Sequence, residues 1–367
     1  MKKTRIASIE TFRVASIIAV ICLHTMPFKS LGLENIYFKF FSYLIDNFCR
    51  FAVPFFFIAF GYFFGRKLRL CRTTSESFGL LFANLKKYFI IFCGWLLIYT
   101  LIPGHIPFIK IIKCNFSYDY SSLFFNHLRD VFLNFQNAPI RFLLGGGPSV
   151  PLWFLLALMM ALVIVFSMYM LKKEKYLFAL ALSLYFLGLL AGKYAGTPLG
   201  IHLPFKFSIR DGPFFSTLFV TLGFWLSGEK RVSLKTWQAL LIIITGFVFQ
   251  EIEALFLWKF YHVHPVFDYL AGTVPFGAGV FLLALSKPDI GKSTLLPKLA
   301  PLTLGIYVVH LLTVSYCSMI SHFVPGFLWQ ILFPFIVFIS SGVIVIILRE
   351  IPVINLLVGG NYKSSLI

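Results

Sequence analysis

Arg13 and His24 lie in one otherwise apolar run, separated by ten residues that carry no charge. Eleven steps along a helix make three turns, so both side chains fall on nearly the same face, roughly 16 Å apart along the axis at about 1.5 Å per residue. That distance is about half of a hydrocarbon core about 30 Å thick. Ionisable groups inside a membrane span are costly and persist mainly where they face a protein interior or a water-filled cavity. A guanidinium grips anionic groups and can stabilise developing negative charge. Imidazole is the side chain best matched to taking a hydroxyl proton near neutral pH. The pair therefore reads as a candidate reacting site, with Glu10 on the same face as a partner for Arg13.

The elements that position this pair follow from composition. Of 367 residues, 59% are hydrophobic, 13% are charged and 46 are phenylalanine, which predicts an all-α polytopic membrane protein rather than a soluble core. The formal charge of +18 does not point to nucleic acid, because the basic residues form short clusters between apolar runs. They read as topology signals and contacts to anionic membrane lipids. Runs long enough to cross begin near Ser8, Ser42, Ala83, Pro151, Tyr176, Gly212, Lys235, Tyr269, Pro301 and Leu328, about ten transmembrane helices of about 18–24 residues each. With that count, twenty of the 32 Lys and Arg residues fall on the N-terminal side and ten on the other, leaving Arg13 and Arg50 within spans. The positive-inside rule then places both termini in the cytoplasm. The basic N-terminus is followed by no small-residue cleavage pattern, so the first run reads as a retained helix. Six scattered cysteines without a CxxC indicate neither a disulfide framework nor a metal site. Residues 1–367 read as a single integral-membrane domain with no fused soluble domain. Its long extracytoplasmic connection, about 104–150, contains an amphipathic helix over Leu123–Phe135, suited to the outer interface or to capping a cavity. Gly145-Gly146-Gly147-Pro148 closes that connection as a turn.

Orientation gives the remaining polar groups a depth. Asp46 and Arg50 fall near the depth of His24, four residues apart and able to pair. Arg210-Asp211 opens the sixth span at the outer face, Glu251, Glu253 and Asp268 lie toward the same side, and Tyr307 and His310 fall near the middle of the ninth span. On the cytoplasmic side Arg66, Arg69 and Arg72 form a triply spaced row. Such a row suits an anionic ligand entering from the cytoplasm, and equally serves as positive-inside charge. Asp46 and Arg50 could simply neutralise each other, Glu251, Glu253, His262 and His264 could be solvated, and Trp153, Trp258 and Trp329 could be interfacial anchors. His262-Val263-His264 has no carboxylate or Cys at ligand spacing, so no metal is expected.

These residues carry a resemblance. Arg, ten residues, then His in the first of ten spans is similar to the membrane-bound acyltransferase-3 family. Glu10-Thr11-Phe12-Arg13 resembles the acidic-x-x-Arg that opens the family's first span, and Arg50 to Phe57, ending at Gly61-Tyr62, resembles its second. Arg66/Arg69/Arg72 is similar to its cytoplasmic Arg-x-x-Arg, and Leu152-Trp153-Phe154 to its Leu-Trp-Phe. Arg210-Asp211-Gly212-Pro213-Phe214-Phe215 resembles Arg-Asn-Gly-x-Phe-Phe, and Gly305-Ile306-Tyr307-Val308-Val309-His310 resembles Gly-Ile-Tyr-x-x-His. The chain departs from the pattern at Phe60, where Ser is usual, and at Asp211, where Asn is usual.

The resemblance implies an enzyme of the plasma membrane that takes an acyl group, acetyl by preference, from cytoplasmic acyl-CoA. The acceptor would be a hydroxyl of a cell-surface glycan or its lipid-linked precursor. It implies His24 as general base or acyl carrier, Arg13 holding the donor or stabilising charge, and Arg66, Arg69 and Arg72 holding CoA phosphates. Glu10, Arg50, Trp153, Arg210, Tyr307 and His310 would shape the tunnel or acceptor site. Some relatives carry an extracytoplasmic esterase-like domain; its absence after the tenth span implies a separate extracytoplasmic partner or none. A different class, a transporter or flippase for a lipid-linked or anionic solute, is compatible with ten spans and mid-membrane charges. Matching repeated halves, the usual mark of such proteins, are not found. A non-catalytic membrane subunit is the third reading.

Overall fold

The computed structural model describes residues 6–33, 35–102, 120–203, 208–228, 234–263 and 269–360; His264, Asp268 and the first part of the long connection lie outside them. All regular structure among the described residues is helical. In order, the helices are α1 (Ala7–Thr25), α2 (Ile36–Cys49), α3 (Ala52–Leu68), α4 (Thr74–Leu101), α5 (Tyr120–Asn137) and α6 (Pro139–Leu144). They continue with α7 (Trp153–Met170), α8 (Glu174–Ala191), α9 (Pro213–Leu226), α10 (Thr236–Tyr261) and α11 (Thr273–Ser286). The last are α12 (Leu296–Leu299), α13 (Thr303–Cys317), α14 (Gly326–Glu350) and α15 (Ile354–Leu357).

Among the described residues, eight helical stretches are long and apolar enough to cross a membrane, and α9 and α11 are shorter apolar helices at the sixth and eighth expected spans. The protein is thus a polytopic helical membrane protein whose ten apolar segments are unequal. At 14 residues each, α9 and α11 are about 21 Å long, short of a hydrocarbon core of about 30 Å. Both are preceded by irregular backbone, which at membrane depth is tolerated only where protein buries it or a cavity takes it up. Before α9 this backbone is the 3-10 turn Ile209–Asp211, which carries Arg210. Before α11, Glu253 of α10 accepts the backbone N–H groups of Ala271 and Gly272 at 3.0 and 2.9 Å. It also accepts the Tyr194 hydroxyl at 2.8 Å. Burial, with Glu253 alongside, pushes the Tyr194 phenol above its ordinary value and keeps it a donor. Glu251 is half-buried, whereas Glu253 is 5% exposed, so the reading of Glu253 as solvated is corrected. Its carboxylate satisfies amides that the shortened helix leaves free.

The second expected span is likewise not one helix from Ser42. The chain turns at Arg50 and Phe51, between α2 and α3, which leaves Arg50 at a break rather than inside a regular helix. Beyond it, α3 meets α9 so closely that a Cβ at Gly61 would lie 2.1 Å from the Val220 carbonyl oxygen. One at Gly223 would lie 2.0 Å from that of Ile58. Small residues at a crossing let helix backbones touch, the usual source of packing energy in membranes. The amphipathic α5 covers the expected Leu123–Phe135 and hangs from α4, with the His127 ring nitrogen 3.3 Å from the Tyr99 carbonyl. Phe125 and Phe132 on its outer face are 64% and 62% exposed.

Candidate active site

Arg13 sits two turns into α1, where its Nη1 meets the Glu10 carboxylate at 3.0 Å and its Nη2 donates to Thr303 Oγ1 at 3.1 Å. Thr303 opens α13, which runs beside α1. At the other end of the same contact His24 faces His310, with ring centroids 5.1 Å apart. The two helices therefore lay the Arg13–His24 face of α1 against the Thr303–His310 face of α13.

His310 is fully buried. Its Nδ1 lies 2.5 Å from the Tyr307 carbonyl oxygen. A carbonyl can only accept, so Nδ1 carries the hydrogen, and in the neutral form of the ring the lone pair sits on Nε2. That Nε2 is buried without a hydrogen-bond partner. An unpaired buried acceptor is costly, and here it stands beside the His24 ring. Tyr307, buried in the same turn of α13, donates its hydroxyl to the Pro151 carbonyl at 2.6 Å and packs its ring on Phe154 at 5.2 Å. Those bonds fix α13 against the start of α7.

Cations close this end. Arg50 meets the Asp46 carboxylate through Nε at 3.0 Å and Nη2 at 2.7 Å. Arg210 pairs with Asp211 at 3.1 Å and lays its guanidinium 4.7 Å over the Trp153 ring. Both guanidinium groups lie near enough to act electrostatically on His24. Trp153 is only 5% exposed, so its reading as an interfacial anchor is corrected: it is the platform under Arg210, a cation–π contact. Trp329 is buried as well, whereas Trp258 is exposed.

The family model described as an acyltransferase domain matches residues 6–349. The chain belongs to the acyltransferase-3 family. An "Amino-acid racemase" from Enterococcus faecalis is 25% identical over 340 residues, covering 88% of this chain. The chain spans 43% of that protein's length, so more than half of the racemase lies outside the matched part. No solved structure matches the chain.

In this acyltransferase-3 protein the structure brings Arg13, Glu10, His24, Arg50, Trp153, Arg210, Tyr307 and His310 to the two ends of one helix pair. The arginine row is divided among different partners. Arg69 is committed to the end of α9: its Nη1 donates to the Phe224 carbonyl at 3.1 Å and to Ser227 Oγ, and its guanidinium lies 4.1 Å over the Phe224 ring. It also approaches Glu174 of α8 at 3.7 Å. Arg66 stacks on Tyr62 at 5.7 Å. Arg72 is exposed, and its backbone N–H donates to Glu76 at the start of α4. Arg66 and Arg69 share the last turn of α3, where the Arg69 N–H still donates to the Gly65 carbonyl, and Arg72 falls beyond its end. Thr303 escaped the sequence reading, since a threonine in an apolar run carries no signal of its own. Gln250 and Asn47 escaped for the same reason: Gln250 donates to the Asn47 carbonyl at 3.2 Å, and Asn47 donates to Glu251 at 3.2 Å.

Proposed function

We propose that this protein transfers an acyl group, acetyl by preference, from cytoplasmic acyl-CoA to a hydroxyl of a cell-surface glycan or its lipid-linked precursor, in the plasma membrane. The observation that carries the reading is the His24–His310 contact at the far end of a helix face whose near end is Arg13. It sets an anion-gripping group and a proton-accepting group about three turns apart on one helix face. His24 takes the proton of the acceptor hydroxyl as its oxygen attacks the thioester carbonyl. The C–S bond then breaks, and the proton held by the His24 imidazolium passes to the leaving thiolate, which returns His24 to its neutral form. The lone pair on His310 Nε2 accepts a hydrogen from the His24 imidazolium and holds it in place, as a second group orients the base in other two-residue sites. Arg50 and Arg210, each tied to a carboxylate, give this end fixed cations that oppose the build-up of negative charge on the tetrahedral carbon's oxygen. Arg66 and Arg72, exposed at the basic face, draw the anionic donor toward the membrane.

His24→Ala in the full-length membrane protein is expected to abolish transfer of radiolabelled acetyl from acetyl-CoA to surface glycan while membrane levels hold. Undiminished acetylation in that variant would sink the mechanism. The same assay, run on purified protein without any gradient, separates an acyltransferase from a transporter. Mass spectrometry of surface glycans with and without the protein identifies the acyl group and the acceptor.

A further inference from the structure

Three cations that are far apart in the chain converge at the Arg13 end. Arg13 of α1 donates to Thr303, and Arg349, in the last turn of α14, donates from Nη2 to the Pro301 carbonyl. Both therefore grip the same turn at the start of α13. Lys87 of α4 reaches the Gly359 carbonyl at 3.4 Å, and Gly359 lies against Leu304 of that turn, where a Cβ would meet Leu304 at 3.0 Å. The Lys87 ammonium has Arg13, Arg349 and the exposed Lys67 within electrostatic reach. Among the described residues, one carboxylate pairs with this group, Glu10 on Arg13. The Arg349 Nε is buried and has no hydrogen-bond partner. Like charges brought together with so little compensation repel one another, and such an arrangement is costly unless an anion joins it.

The backbone that builds the cluster is itself strained. After α14 the chain folds back through α15 under the bundle, and Val353 at the bend has φ +74°, a conformation that β-branched residues rarely adopt. Trp95 holds the returning segment by donating its indole N–H to the Leu357 carbonyl at 2.8 Å.

We propose that Arg13, Lys87 and Arg349 form the seat for the phosphate groups of the acyl donor. This rests on the donor being acyl-CoA and changes which residues hold it. A phosphate here accepts charge-assisted hydrogen bonds from the fork of Arg349 and from the ammonium donors of Lys87 that the Gly359 carbonyl leaves unused. From that seat the thioester end extends along α1 toward His24, while Lys67 marks the cytoplasmic mouth. Arg69 is already bound to Phe224, Ser227 and Glu174.

The test uses full-length protein in lipid nanodiscs, with binding of radiolabelled acetyl-CoA and thermal unfolding in inorganic pyrophosphate as separate readouts. Lys87→Gln and Arg349→Gln are each expected to weaken acetyl-CoA binding roughly tenfold or more, and Lys87→Arg to restore most of it. Pyrophosphate should raise the unfolding temperature of the wild-type protein and not that of the double variant; the unfolding transition itself shows that each variant is folded. A folded double variant that binds acetyl-CoA as the wild type does overturns the seat and leaves the acyl-CoA reading standing. A wild-type protein that binds no acetyl-CoA but is stabilised by pyrophosphate only when Lys87 and Arg349 are present overturns the acyl-CoA reading and keeps the anion seat.

Discussion

The two ends of the α1–α13 contact are built on opposite principles. At the Arg13 end the groups are partly exposed cations with one carboxylate among them, Glu10 on Arg13, and otherwise tied to neutral oxygens, those of Thr303, Pro301 and Gly359. At the His24 end, His310 and Tyr307 are buried, the tautomer of His310 is set by one carbonyl, and each arginine has its own carboxylate. Three cations that share a single carboxylate suit an anion that comes and goes, because the ligand supplies the missing charge. A buried, neutral imidazole beside a second one suits a proton in transit, because little has to reorganise when it moves. One helix face thus carries a binding end and a reacting end, and the two should fail differently.

The sharpest way to break this distinction is His310→Asn. Removing the Nε2 lone pair should lower the rate of acetyl transfer by ~10²–10⁴-fold, the usual range for losing a positioned proton acceptor. Acetyl-CoA binding should stay as it is. If the rate is unchanged, His310 is a packing group and the far end has one working histidine. Next in size is Arg13→Gln, expected to reduce acetyl transfer at limiting acetyl-CoA by roughly 10²-fold, as loss of a fixed anion-stabilising donor does elsewhere. A fall in the saturated rate with donor binding intact would move Arg13 from the binding end to the reacting end. The smallest effect belongs to Arg69→Gln. Loss of the bonds from α3 to the end of α9 should cost about 1–2 kcal/mol of stability, read as a lower unfolding temperature. Its acetyl-CoA requirement should match the wild type, and a large rise would return the donor site to the arginine row.

Much of the fold was legible because membrane spans announce themselves by length and apolarity, and the helical period alone put Arg13, His24 and Glu10 on one face. Asp46–Arg50 was legible for the same reason, a separation of four on a helix. The late Tyr307 and His310 were legible only as a motif, since nothing in their spacing says that α13 lies against α1. Glu253 was misread because a carboxylate near a span end looks solvated in sequence. Its burial is explained by the amides that α11 leaves free when it starts late.

The sequence by itself determined that this chain is a membrane protein of apolar helices, with basic clusters setting its orientation and Arg13 and His24 three turns apart on one helix. Tertiary structure alone decided which other helices meet that face: Thr303 and His310 along it, Arg50 and Arg210 around its far end, Lys87 and Arg349 at its near end. The physical reason is that the helical repeat fixes neighbours within a helix. Neighbours between helices depend on which surfaces fit, as where Gly61 and Gly223 let α3 and α9 touch. Arg69 shows the consequence, since the same packing that drew Lys87 and Arg349 toward Arg13 turned the motif arginine to the end of α9.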